Sequence, residues 1–180
     1  MKSVRIFVFS DTHGDTSGME LVLSKSWTKP DAIIHCGDGA WDALEIARKF
    51  PEAAVHVVRG NVDADLPNLP EEQCLKIAGR KIYFAHGDKF NVHGESVTGA
   101  NANSEIVTRA KELGAEIVLH GHTHLATLSL ERGVYLLNPG SASLKQPYDF
   151  KPSFGCVEIF EGHVVCKILS VAVFGKLGVA

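Results

Sequence analysis

At 180 residues, 45% hydrophobic and 22% charged, the chain is long and apolar enough to form one globular domain, 1–180, with a substantial core. Eighteen basic residues against 21 acidic ones give a formal charge of −3, which offers no basic footprint and argues against nucleic acid as a partner. No apolar run approaches the roughly 18–20 residues of a membrane helix, and Ile6 to Phe9 is shorter than the signal-peptide core of about 7–15, so a cytoplasmic location with no membrane partner is expected.

Val4 to Phe9 is a mostly apolar run of the kind found in a strand covered on both faces, and it ends at Ser10-Asp11-Thr12-His13-Gly14. Met19, Val22, Leu23 and Trp27 recur at i, i+3, i+4 and i+8 and predict a helix. Ala32 to Cys36 reads as a second strand, ending at Gly37-Asp38-Gly39. Trp41, Leu44, Ala47 or Arg48, and Phe50 predict another helix, stopped by Pro51. Trp27, Trp41 and Phe50 are read as core. Ala54 to Val58 forms a third strand and leads into Arg59-Gly60-Asn61-Val62-Asp63, after which residues 64–72 read as a surface connection.

Gln73 to Ile77 and Ile82 to Ala85, about Gly79-Arg80, read as a hairpin whose second strand ends at His86-Gly87-Asp88. Residues 89–102 read as a loop. Ile106, Val107, Ala110 and Leu113 give a third helix with Gly114 as its cap. Ile117-Val118-Leu119 is a short buried strand that empties into Gly121-His122-Thr123-His124. Two hairpins follow, 126–131 with 134–138 about Arg132-Gly133, and 155–160 with 164–171 about Gly162. Strands alternating with helices and then giving way to hairpins predict a compact α/β domain of two packed sheets with helices outside them.

Cys36, Cys74, Cys156 and Cys166 form no C-x-x-C pair. Pairing about Gly162 sets Cys166 opposite Glu158 and diagonal to Cys156, about 7–8 Å away, at or beyond the usual disulfide limit of about 7 Å. Slipping the register by one puts the two on opposite faces. Buried free thiols are expected.

The strand ends carry the chemistry. Five of them present Asp11 and His13, Asp38, Asn61, His86, and His122 with His124. In α/β folds the loops leaving the carboxyl ends of strands converge on one crevice. Carboxylate and amide oxygens mixed with imidazole nitrogens suit Mn, Fe, Ni, Co or Zn better than Ca or a thiolate-selected metal. A central carboxylate can bridge two cations about 3.5–4 Å apart. No Ser or Cys nucleophile accompanied by His and Asp is apparent.

In order and spacing these motifs resemble the calcineurin-like metallophosphoesterase superfamily, whose pattern is D-x-H, G-D, G-N, H and G-H-x-H. Asp11-Thr12-His13, Gly37-Asp38, Gly60-Asn61, His86 and Gly121-His122-Thr123-His124 match it from Asp11 to about Ser141. The shortness of the chain and Asn138-Pro139-Gly140-Ser141 are similar to the small single-domain prokaryotic phosphodiesterase branch. The resemblance implies a four-layer α-β-β-α sandwich, in which two packed mixed β-sheets are flanked by helices. It implies two divalent transition-metal ions, Mn first, with Ni, Co, Fe or Zn as alternatives. Asp11, His13, Asp38 and His124 would hold one, and Asp38, Asn61, His86 and His122 the other, with Asp38 bridging. The implied activity is hydrolysis of small phosphodiesters by in-line attack of a metal-bridging hydroxide.

Asn61, Asp63 and His86 are the catalytic candidates; Asn61, Arg59 and His93 are the candidates for substrate binding. Many members place a histidine after the Gly-Asn pair as proton donor; here Val62 can donate nothing. A phosphomonoesterase or nuclease with the same metals is the alternative enzyme. A catalytically silent scaffold of the same fold is the alternative from another class, though such a protein should have lost ligands and here all are present. The expected partner is a small phosphoester, and a homodimer or homotetramer stays open.

Single residues also have plainer readings. An Asp after a strand is most often a turn or helix-capping residue, and that reading leads for Asp15 and Asp63. For Asp11 the company of His13 and four other loops turns the reading to metal. His35, His56, His120 and His163 lack motif partners and read as core or surface histidines. Arg59 and Lys89 flank the ligand loops, where they could meet a phosphate.

Overall fold

The computed structural model describes residues 3–90, 92, 104–145 and 151–175. In chain order, the first elements are β1 (Val4–Phe9), α1 (Ser17–Lys25), β2 (Ala32–His35), α2 (Ala40–Lys49) and β3 (Ala54–Val57). After them come β4 (Glu72–Ile77), β5 (Arg80–Ala85), α3 (Ser104–Glu112), β6 (Ile117–Leu119), β7 (Thr127–Glu131), β8 (Val134–Asn138), β9 (Ser153–Phe160), β10 (His163–Ser170) and the short α4 (Ala172–Gly175). One sheet has the order β10-β9-β1-β2-β3, with β1, β2 and β3 parallel. The other has the order β4-β5-β6-β8-β7, with β5, β6 and β8 parallel. Antiparallel β9, β10, β4 and β7 make both sheets mixed.

Alternation along the strands builds the layers. Ile6, Val8, Ile34 and Val157 face Ile82, Phe84, Leu119 and Leu137 across the space between the sheets. Phe7, Phe9, Ile33 and Phe154 point the other way, onto Met19, Val22 and Leu23 of α1 and Ile46 of α2. On the far side Tyr83, Ala85 and Val118 cover Ile106, Val107 and Ala110 of α3. The result is the expected α-β-β-α sandwich of two mixed sheets flanked by helices. Each large side chain buried this way contributes about 1.5–3 kcal/mol, so the layers hold themselves together without a disulfide.

Three hairpins share one device. Ala78-Gly79, Arg132-Gly133 and Glu161-Gly162 each put two residues at positive φ, the two-residue turn whose twist matches the flanking strands. The turn of the first hairpin is therefore Ala78-Gly79 rather than Gly79-Arg80. In the last, Phe160 pairs with His163, so Cys166 faces Val157 and Cys156 faces Lys167. Cys156 then joins the helix-side core while Cys166 packs towards the inter-sheet core. All four cysteines are free, but only Cys36 and Cys156 are buried; Cys166 is half-buried and Cys74 is exposed.

The aromatic residues read as core need correcting. Trp27 is 95% exposed because α1 ends at Lys25 and its turn count does not carry on to residue 27. Trp41 is 54% exposed, since the buried face of α2 is Ala40, Asp42, Ala43 and Ile46. Phe50 is half-buried. Among the described residues no helix is long and apolar enough to cross a membrane.

Candidate metal centre

The parallel strands β1, β2 and β3 of one sheet and β5 and β6 of the other end at the same edge of the sandwich, and their loops are laced together. Asp11 N–H donates to the Gly37 carbonyl and His13 N–H to that of Asp38, each at 3.0 Å. The Gly121 amide donates to His86 O at 2.8 Å. Across the sheets, the His122 amide donates to both carboxylate oxygens of Asp11, at 3.2 and 3.1 Å. Gly60 and Gly121 let the loops approach closely. A Cβ at Gly60 would overlap Asp38 Oδ1 and stand 2.7 Å from its amide nitrogen. One at Gly121 would overlap Ser10 Oγ and stand 2.5 Å from Asp11 Oδ2.

The backbone carries a signature that no residue pattern announced. Asp11, His13, Asp38, His122 and His124 all lie at positive φ, between 48° and 73°. Among the described residues the other non-glycine positions at positive φ are the three hairpin turns. Holding a non-glycine residue in this region costs of order 1–3 kcal/mol, and it persists only where the surroundings over-determine it. Five such residues converging on one edge mark a site whose side-chain directions are imposed by the fold.

The side chains they aim converge. His13 Nε2 and His124 Nε2 are 3.0 Å apart, and His124 Nε2 is 3.4 Å from Asp11 Oδ1. Asp38 Oδ2 stands 3.3 Å from His86 Nε2 and 4.0 Å from His13 Nε2. The ring centres of His86 and His122 are 5.2 Å apart. Among the described residues two groups each bring three donor atoms within 4.8 Å of one another: Asp11, His13 and His124, and Asp11, Asp38 and His86. Asp11 is common to both, and Asp38 faces histidines of both.

These residues fit divalent cations. His86 Nδ1 lies 2.8 Å from the Cys36 carbonyl, which can only accept, so the proton sits on Nδ1 and the Nε2 lone pair faces the centre. Among the described residues that buried Nε2 has no hydrogen-bond partner. An orphaned acceptor aimed at carboxylates is poor design for an apo core and good design for a metal ligand.

Burial raises the pKa of Asp11, although His86 and Ser10 act against it. Asp38 is lowered: burial works upward, but the charge of His86, the Val62 amide and His13 outweigh it. For His86 burial works downward and Asp38 and Asp11 prevail, so its pKa is raised. Cation binding at that nitrogen competes with a proton and weakens as pH falls.

Several residues outside the ligand set support these loops. Asp63 is buried, and its carboxylate accepts the amides of Asp38 and Gly60 on Oδ2, both at 2.8 Å, and those of Gly39 and Ala40 on Oδ1, at 3.1 and 3.0 Å. Asp63, one of the catalytic candidates, lies under the loops and clamps them. Asp15 likewise accepts the Ser17 amide at the start of α1, the Ser143 hydroxyl and the amides of Leu144 and Lys145. Asn138 Nδ2 donates to Gly121 O and Thr123 Oγ1, and Ser141 Oγ donates to Asp11 O at 2.6 Å. His35, read as an ordinary histidine, accepts Gly37 N–H on Nδ1, leaving Nε2–H to donate to Thr12 Oγ1, whose hydroxyl donates to Asp42. Its burial lowers its pKa to about 4, so it stays in the neutral form this relay requires.

Asn61 and Val62 stand exposed at the rim. A cavity of about 190 Å³ beside His86 is lined by Asn61, Arg59, Lys89, Glu71, Glu72 and Asp88, among others. Arg59 donates to Glu71 at 2.6 Å, and Lys89 pairs with the same carboxylate. His93 lies outside the described residues.

Residues 4–162 match the model of the calcineurin-like phosphoesterase superfamily domain. A probable metallophosphoesterase of Bacillus subtilis, YsnB, is 32% identical over 142 residues, 78% of this chain and 76% of its own. A Streptococcus pneumoniae protein described as a predicted phosphoesterase superposes with a TM-score of 0.73 at 29% identity, covering 96% of this chain and 92% of that one. A protein described as a novel archaeal phosphodiesterase shares the fold, with a TM-score of 0.62 at 20% identity, over 92% of this chain and 100% of that one. The chain belongs to the calcineurin-like phosphoesterase superfamily.

Proposed function

We propose that this superfamily member hydrolyses small phosphodiesters with two divalent transition-metal ions, manganese first, held by Asp11, His13, Asp38, Asn61, His86, His122 and His124. The observation that carries the reading is the meeting of His13 and His124 Nε2 at 3.0 Å beside the buried, unsatisfied His86 Nε2. Divalent cations there supply Lewis acidity, lowering the pKa of a bound water towards about 7 and offsetting phosphoryl charge.

The chain's own groups set the rest. His86 is oriented by the Cys36 carbonyl, and Asp63 fixes the loop that carries Asp38. The amide of Asn61, exposed at the cavity, can donate to a phosphoryl oxygen. Arg59 and Lys89 are already balanced by Glu71, with Glu72 and Asp88 nearby. This charge balance favours a monoanionic diester over a dianionic monoester. Val62 offers no proton to a leaving group, help that is typically worth about 10²–10⁴-fold.

The test is kcat/KM for chelator-stripped protein, with and without added Mn, on aryl phosphodiesters of graded leaving-group pKa and on matched monoesters. Activity should vanish on stripping, return with metal, favour diesters and fall steeply as the leaving group becomes more basic. Full activity after exhaustive stripping overturns the metal reading; a monoester preference overturns the diester reading.

A further inference from the structure

A second depression, of about 330 Å³, opens beside the candidate ligand His13, and among the described residues its wall includes Gly39, Trp41, Val62 and Asp65. Trp41 and Val62 are 54% and 53% exposed, two large apolar side chains in a wall whose other members are histidine, glycine and aspartate. Neither is loosely placed. Trp41 Nε1 donates to Asp65 Oδ2 at 2.7 Å, which pins the indole at the first turn of α2. The Val62 amide donates to Asp38 Oδ1 at 3.0 Å, which fixes the valine relative to the candidate metal centre. Among the described residues the charged side chains of the wall are Asp42, Asp63 and Asp65, with no Lys or Arg. A second phosphate is therefore disfavoured there, while a flat, uncharged ring gains by covering the indole and the valine.

We propose that Trp41, with Val62, forms a subsite for a planar aromatic ester group of the substrate, an aryl or heteroaryl ring stacked on the indole. The inference rests on the phosphoester reading above and deepens it: the diester carries at least one aromatic alcohol. Trp41 is thereby a specificity-determining residue. Apolar side chains at positions 41 and 62 then have one common use, and the ring's place is set by the same backbone that holds Asp38.

The test compares the monomethyl esters of phenylphosphonate and methylphosphonate, monoanions like a diester that share a headgroup and differ in the ring (hereafter phenylphosphonate and methylphosphonate), as inhibitors of the metal-loaded protein. Wild type should prefer phenylphosphonate by about 5- to 100-fold, the range of one base–aromatic stack. Trp41→Ala should bring that ratio near unity, and Trp41→Phe should retain most of it. The chain has two tryptophans, so in Trp27→Phe protein loaded with Zn the emission reports Trp41 alone. Phenylphosphonate should change that emission and methylphosphonate should not. An unchanged inhibitor ratio in Trp41→Ala, or no emission response to the ring, overturns the subsite. Failure of both phosphonates to inhibit overturns the phosphoester reading instead, and the emission titration still decides the subsite.

Discussion

Asp38→Ala should lower phosphodiester hydrolysis by roughly 10³-fold or more and reduce bound metal at both positions of the centre. The reason is placement: Asp38 Oδ2 lies 3.3 Å from His86 Nε2 and 4.0 Å from His13 Nε2, so one carboxylate serves both sides. Loss of several kcal/mol of charge stabilisation, at about 1.36 kcal/mol per tenfold, accounts for an effect of that size. Its Oδ1 also accepts the Val62 amide at 3.0 Å, so alanine frees the loop that carries Asn61. Asp38→Asn separates the two roles. It can keep the acceptor for Val62 while losing the charge, and should fold like wild type yet bind metal poorly. His13→Ala should weaken mainly one equivalent, because His13 belongs to a single donor group with Asp11 and His124. Equilibrium metal binding measured on the three variants decides. Asp38→Ala that still takes up two equivalents at wild-type affinity would show that Asp38 is not shared.

Asp63→Ala should be strongly destabilising although it replaces no proposed ligand. A buried carboxylate accepting four amides holds the 38–40 turn to Gly60, and alanine leaves all four N–H groups without it. A hydrogen bond to a charged group contributes about 1.5–3 kcal/mol, and some of the freed amides will find water, so a loss of about 3–5 kcal/mol is expected. Metal affinity should fall about 10–100-fold as the Asp38 loop loosens, in keeping with the effect of losing groups that orient ligands. Asp63→Asn should be intermediate, since one face of its amide is a donor pointed at donors. Urea unfolding of the metal-free proteins measures the first effect. A difference under about 1 kcal/mol would mean that the turn holds itself.

The sandwich was legible because its strands are short apolar runs with clear stops, and because hairpin glycines mark the turns. Helix faces were less legible. Trp27 follows the 3.6-residue period of α1 but lies beyond its end at Lys25, and α2 buries the small Ala40 and Ala43 in preference to Trp41. Period alone cannot say where a helix stops or whether a small residue packs more closely against a sheet. At the site, the candidate ligands stood out because Asp and His after strand ends are chemically conspicuous. The supporting roles of Asp63, His35, Asn138 and Ser141 did not, since their partners are backbone groups brought close only by the fold. The left-handed backbone of five candidate ligands was equally hidden, because it is imposed by tertiary lacing.

We propose that these loops hold two cations at once, and the proposal is open to direct observation. Its most direct test is a crystal structure of the protein purified in Mn, with anomalous scattering recorded at the Mn absorption edge. Two anomalous peaks should appear, one among Asp11, His13 and His124 and one beside Asp38 and His86, with His122 and Asn61 turned towards the second. A single peak elsewhere, or none at saturating Mn with His86 Nε2 bonded to a neighbouring side chain, would contradict the account.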